Sequence, residues 1–316
     1  MAARRASRPV NDVIDEWPRA ESHARAALAG HPDTASLAAA SFQAIDGSLS
    51  NFAWRVAGPG TNRFVRLARG GTEQLGADLT AEREVVSLAA AAGLAPPVVR
   101  CDPAARLLVT QWVAGVDGSL QVDREGAVID RVAAALQRLH ALAPPPGLRR
   151  VSFKAQAARL QAMLPVGEQG PAFVASAPEL FARLDDSRQP LVVCHHDVHA
   201  QNMILDADGR LWLVDWEYAG LGDPVFDLAS FASQARLAES SVQRLLERYF
   251  RAGGSLDAVR LPLARWAFDY VQWLWYRTVM AGEAAGSGRS DALHRAARLE
   301  IELQVRASSL LRCNNH

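Results

Sequence analysis

The stretch His195-His-Asp-Val-His-Ala-Gln-Asn202, followed by Met203-Ile-Leu205, a turn at Asp208-Gly209 and the run Leu211-Trp-Leu-Val-Asp215, carries the densest chemistry in the chain. Leu191-Val-Val-Cys194 before it and Leu211-Trp-Leu-Val214 after it are short apolar runs bounded by polar residues, the pattern of buried strands. The polar segment between them is therefore a loop. It sets Asp197 and Asn202 five residues apart, with Asp215 at the end of the following strand, so three oxygen-bearing side chains can converge. Phosphoryl transfer from ATP asks for such a set: oxygen ligands for Mg²⁺, a carboxylate to orient or deprotonate an acceptor hydroxyl, and a cation against the phosphates. The loop supplies all but the cation.

Upstream, Asn51-Phe-Ala-Trp-Arg-Val56 and Arg63-Phe-Val-Arg-Leu67 read as two strands about a Gly58-Pro59-Gly60 turn. Asp78-Leu79-Thr80 opens a helix that runs to Ala92, with Thr80 as its cap, Glu82 and Glu84 near its start and Gly93 as its stop. Pro96 to Arg100 and Arg106 to Val113 give a further strand pair, which completes a small sheet with one helix across it. The Ala-rich residues 13–40 predict one or two short surface helices that carry no chemistry. After Gly115 the texture turns helical: Glu125 to Leu142 is periodic and stops at Pro144-Pro-Pro146, and long helices follow Asp227, broken near Gly253-Gly254 and from Gly282 to Gly288.

The 316 residues are long enough for one large or two medium domains, and 49% hydrophobic with 22% charged residues is ordinary globular usage. Thirty-four basic residues against 34 acidic ones leave no global field to draw the chain onto nucleic acid or anionic lipid. Lys154 is the single lysine, so any other phosphate-binding cation must be an arginine. Cys101, Cys194 and Cys313 are odd in number and widely spaced, which fits a reducing cytoplasm rather than a disulfide framework or a structural zinc site. Met1 to Val10 has no apolar core of a signal peptide, and Val85 to Val99 is too short and too interrupted to span a bilayer.

The His-x-Asp-x-x-x-x-Asn pattern with its strand-end aspartate resembles the protein-kinase-like phosphotransferases, in particular the aminoglycoside phosphotransferase and choline kinase superfamily. Val214-Asp-Trp-Glu-Tyr-Ala-Gly220 is similar to the choline and thiamine kinase branch, and His195 to Asn202 is most similar to bacterial thiamine kinases. The resemblance implies an α+β, two-lobed protein-kinase-like fold. A helical extension over 1–40 would precede a nucleotide-binding lobe with a small antiparallel sheet over 41–113, and a larger, mainly helical lobe over 114–316 would hold the catalytic loop and acceptor site. By position, Asp197 looks like the catalytic base, Asn202 and Asp215 like Mg²⁺ ligands, His195 like a brace for the loop and Asp227 like its structural fastening. Asp46-Gly-Ser-Leu-Ser-Asn51 resembles the nucleotide loop, with Gly47, Ser48, Ser50 and Asn51 near phosphate. Arg66 stands where protein kinases carry the phosphate-binding lysine, as in choline kinases. Glu84 is the implied helix carboxylate that positions Arg66, with Glu82 on the same helix as the competing choice. Gln111-Trp-Val113 resembles the hinge that contacts adenine through backbone groups.

The helix from Leu261 to Met280 places Trp266, Tyr270 and Trp273 on one face, where core packing is the default and a cation site the alternative. The resemblance puts one wall of a choline cage at Trp266 and has Asp269 where a second tryptophan would stand. The expected acceptor residues are thus Asp197, Glu217, Trp266, Asp269, Tyr270 and Trp273. The implied cofactors are ATP and Mg²⁺, and the implied partner is a small hydroxylated, cationic molecule of the thiamine, choline or ethanolamine kind, with no nucleic acid or membrane partner. The alternatives are an aminoglycoside phosphotransferase, a nucleotide-binding pseudokinase with an interaction role, and a transition-metal site built from His195, His196 and His199 with Asp197.

Overall fold

In the computed structural model of the chain, strands β1 (Ser41–Ile45), β2 (Asn51–Gly58), β3 (Thr61–Ala68), β4 (Val98–Asp102) and β5 (Leu107–Gln111) form an antiparallel sheet in the order β1-β2-β3-β5-β4. The described residues are 16–45, 48, 50–117, 126–165, 170–185, 190–250, 260–281 and 289–312. Gly47, Cys313 and the glycine breaks near 253 and from 282 to 288 lie outside them. Strands β2 and β3 meet at a two-residue turn, where Gly60 takes a φ of 69° that a side chain would strain. Alternation then sorts the sheet's two faces. Trp54, Val56, Val65, Leu67, Leu107 and Val109 face helix α1 (Glu16–Ala29), whose Ala20, Ala24 and Leu28 recur every four residues. Trp17 of α1 sits edge-on to Phe52 and Trp54, so the Ala-rich start of the chain seals the sheet's outer face.

Arg66 lies between Val65 and Leu67 and therefore points to the opposite face, where helix α2 (Leu79–Ala91) crosses. The cap of α2 differs from the sequence expectation. Asp78, not Thr80, accepts the amides of Thr80 and Ala81, because it stands just outside the helix in extended backbone while Thr80 already lies in the first turn.

Beyond β5 the chain crosses to a lobe of helices α3 (Ala127–His140), α4 (Phe153–Met163) and α5 (Phe173–Asp185). Strands β6 (Gly115–Asp117), β7 (Val192–Cys194), β8 (Met203–Asp206), β9 (Leu211–Leu213) and β10 (Gly220–Gly222) form two small antiparallel sheets, β6-β8-β9 and β7-β10. Helices α6 (Val225–Gln234), α7 (Glu239–Tyr249), α8 (Arg260–Ala281) and α9 (Arg289–Arg312) complete the lobe. Helix α8 is buried on most sides, packed by α4, α5, α6 and α9. Among the described residues no helix is long and apolar enough to cross a membrane.

Candidate functional site

The loop between β7 and β8 is shaped by one buried carboxylate. Asp227, in the first turn of α6 and 0% exposed, accepts the backbone amides of His195 at 2.9 Å and His196 at 2.7 Å. His140 Nε2 contacts the same carboxylate at 3.0 Å, and Tyr249 holds the other ring nitrogen of His140. Burial alone would raise the Asp227 carboxyl, but these donors outweigh it and hold it at about 2. Pinned in this way, His196 takes a left-handed φ of 65°. His195 braces the loop as a neutral imidazole: Nε2 donates to Val214 O at 3.0 Å and Nδ1 accepts from Asp197 N at 3.3 Å. Burial lowers its pKa, which favours that uncharged form.

Those contacts aim Asp197 into a cavity of about 770 Å³ that Asn202, Asp215, Glu217, Ser48 and Ser50 also line. Asn202 Nδ2 donates to Asp197 Oδ2 at 3.0 Å, and His199 Nε2 stands 3.3 Å from the same oxygen. Burial pushes the Asp197 carboxyl up, but His199, His195 and Asn202 more than offset it and hold it below its ordinary value. The aspartate is therefore an ionised acceptor at neutral pH. Asp215 follows β9 with a φ of 64°, and Val214 N donates to Asn202 O at 3.0 Å, so the two halves of the motif are stitched together.

Arg66 reaches this loop from the sheet. Nη1 donates to Asp215 Oδ1 at 2.7 Å and Nη2 to Glu82 Oε2 at 2.5 Å, with Arg66 only 3% exposed. The expectation for Glu84 is corrected here: Glu82 is fully buried against Arg66, while Glu84 is half-buried and turned away. The phase of the helix decides it, since Glu82 falls in register with buried Val85, Val86 and Ala89. Glu217, expected at the acceptor, accepts from Asn51 Nδ2 at 3.1 Å and lies 3.9 Å from Arg66, on the side of the cavity next to the N-terminal sheet. Burial, with Asp215 nearby, raises its carboxyl to about 8. Ser48 Oγ accepts from Asn51 N, and Ser50 Oγ accepts from Asn51 Nδ2. Gln111 ends β5, with its amide on Pro97 O, and Val113 lies in the crossing between the lobes.

The aromatic expectation on α8 is also corrected. Trp266, Tyr270 and Trp273 are at most 2% exposed and pack against Phe173 and Phe181 of α5, while Asp269 pairs with Arg306 of α9 at 2.5 Å and accepts from Ser233. None of the four lines the cavity. The face of α8 that does carries Phe268, Val271, Gln272, Trp275 and Tyr276, joined by Phe153 and Tyr218. A helix buried on most sides gives no hydrophobic stripe from which its functional face could be read.

Among the described residues the loop histidines and Asp197 do not gather their ligand atoms into one metal-binding group, and both ring nitrogens of His195 are committed to the backbone. Among the described residues, His140, Cys194 and Asp227 are close enough to share an ion, yet the Asp227 oxygens already serve two amides and His140. The donors that fit a hard cation are the Asp215 carboxylate and the amide oxygen of Asn202, left over once Nδ2 is spent on Asp197.

Residues 41–266 match the family described as phosphotransferase enzymes. Protein LicA of Haemophilus influenzae is 33% identical over 118 residues, which cover 35% of this chain and 44% of LicA. Thiamine kinase of Shigella boydii is 33% identical over 90 residues, 22% of this chain and 32% of that protein. The matches thus span under half the length of these curated relatives. The crystal structure of a choline/ethanolamine kinase family protein from Mesorhizobium loti shares the fold, with a TM-score of 0.70 and 23% identity over 96% of this chain and 99% of that one.

Proposed function

Because the chain belongs to the phosphotransferase enzyme family, we propose that it transfers the γ-phosphoryl group of ATP, with Mg²⁺, to the hydroxyl of a small cationic alcohol of the choline or thiamine kind. The observation that carries this reading is the convergence of Asp197, Asn202 and Asp215 on one cavity, with Arg66 reaching Asp215 from the facing sheet. Asp197 would take the acceptor's proton on Oδ1 or Oδ2 while Asn202 Nδ2 and His199 hold its orientation. Asp215 and Asn202 Oδ1 would hold Mg²⁺, which when bound neutralises charge on the phosphates. Arg66, whose Nη1 reaches Asp215 at the cavity, is the cation for phosphate oxygens. Ser48 and Ser50 line the approach for the phosphates, with Asn51 bonded to Ser50 and Glu217 beside them, and the crossing at 111–113 would meet adenine with backbone groups.

The aromatic rings of Phe153, Tyr218, Phe268, Trp275 and Tyr276 support a cationic acceptor, since a desolvated ring face attracts a cation by up to ~2 kcal/mol. An aminoglycoside carries several cations. Among the described lining residues the carboxylates are Asp197, Asp215 and Glu217, all at the transfer end, which favours a smaller acceptor. The test is ADP release with Mg·ATP against thiamine, choline, ethanolamine and kanamycin. Turnover with one of the first three is expected, and turnover with kanamycin alone would overturn the acceptor class.

A further inference from the structure

Arg149 stands outside every motif considered so far, at the end of the segment that enters α4. Its guanidinium binds three main-chain carbonyls: Nε donates to Ala219 O at 3.1 Å, Nη1 to Gly76 O at 2.8 Å and Nη2 to Glu217 O at 3.3 Å. The nearest carboxylate, Asp78, is 3.9 Å away, so a largely buried cation is satisfied mainly by backbone oxygens. Burial pulls its pKa down, but an arginine remains charged. The fold makes room for it. Leu221 N donates to Arg149 O and Val151 N to Leu221 O, both at 2.8 Å, and a Cβ at Gly220 would meet Arg149 O at 2.9 Å.

The three carbonyls belong to the two pieces of chain that set the transfer chemistry. Gly76 lies in the turn that launches α2, and Asp78, two residues on, caps that helix and donates its own amide to Glu217 O at 2.9 Å. Helix α2 carries Glu82 and through it fixes Arg66. Glu217 and Ala219 lie in the turn after Asp215. One planar guanidinium therefore references both the cation arm and the carboxylate arm to the same point, and a lysine could not span three carbonyls in this way.

We propose that Arg149 is a positioning residue for the phosphoryl transfer proposed above: it clamps the 215–219 turn to the start of α2 and so sets the Arg66 to Asp215 separation. A displacement of about 1 Å in such a constellation costs up to ~10²-fold in rate. Arg149→Met should lower kcat by about 10- to 100-fold and raise the Mg²⁺ concentration needed for half-maximal activity, with the acceptor KM nearly unchanged. Arg149→Lys should not restore it. Millimolar guanidinium, but not sodium at equal ionic strength, should partly rescue Arg149→Ala. Phe181→Leu, a change in the core of α5, serves as the control for lost stability, lowering Tm without moving the Mg²⁺ requirement. Wild-type kcat and Mg²⁺ dependence in Arg149→Met, or the same Mg²⁺ shift in Phe181→Leu, would overturn the proposal.

The clamp can also be read without turnover. Hydrogen exchange at the Asp78 amide and across 216–222 should quicken together in Arg149→Met, and unchanged exchange would contradict the clamp. If the wild-type protein transfers phosphate to no alcohol while that exchange responds as stated, the functional reading fails and the mechanical one stands.

Discussion

Arg66 Nη1 lies 2.7 Å from Asp215 Oδ1, joining the middle strand of the N-terminal sheet to the end of β9 across 149 positions of sequence. The bond closes the cleft between the lobes, and the same guanidinium is tied to Glu82 on its other side. Burial would cost this cation heavily, but the Glu82, Asp215 and Glu217 carboxylates outweigh that cost and hold its pKa above the ordinary value. Phosphate oxygens and Mg²⁺ would enter where Arg66 and Asp215 now meet. Asp215→Ala should therefore abolish the rise in Tm produced by Mg·ATP. A full rise in the variant would contradict the assignment.

Glu82 and Glu84 separate cleanly. Glu82→Gln leaves Arg66 short of a buried partner and should cost about 3–5 kcal/mol of stability, as removal of one side of a buried pair does, together with most activity. Glu84→Gln should stay within about 0.5 kcal/mol, the usual range for a surface change. Urea denaturation of the two variants checks both, and the reverse order would restore the expectation from sequence.

The two faces of α8 make opposite predictions. Trp266→Ala should destabilise by about 3–5 kcal/mol through cavity formation, because the side chain is fully buried against Phe181 and Tyr270. Trp275→Ala, on the cavity face, should raise the acceptor KM with a smaller change in Tm. Calorimetry alongside acceptor titrations distinguishes them, and a KM effect confined to Trp266→Ala would reverse the assignment of faces.

Acid should weaken the protein in two steps. Burial holds His196 at about 4, below the ~6.5 of an unfolded histidine. Its folded pKa is depressed, so its contribution is complete above pH ~6.5 and is lost as pH falls from there towards 4, on the order of 2 kcal/mol by pH 5. Asp227, held at about 2, adds a second loss as pH falls from ~4 to 2. His196→Asn, which tolerates the left-handed backbone, should flatten the first step in denaturation midpoints taken from pH 7 to 5. An unchanged slope would sink the attribution.

How much of this was legible in the sequence depends on the range over which each contact acts. The β2–β3 hairpin and the convergence of Asp197, Asn202 and Asp215 follow from period-two alternation and local spacing, which neighbouring residues carry, whereas the role expected of Arg66 came from the resemblance to protein-kinase-like phosphotransferases. Glu82 was legible too, by its phase with Val85 and Val86, but position within a motif favoured Glu84. The working face of α8 was not, because a helix packed by four others is apolar nearly all round. The bond from Asp227 to His140 spans 87 positions and the clamp of Arg149 about 70, and nothing local in either segment announces its partner.

The central claim is that Asp197 takes the proton from an acceptor hydroxyl. The most direct measurement is acceptor-dependent ADP release by Asp197→Asn beside the wild-type protein. Turnover should fall by about 10²- to 10⁴-fold, while Tm and its rise with Mg·ATP stay as in the wild type. Undiminished turnover in the variant would contradict the account.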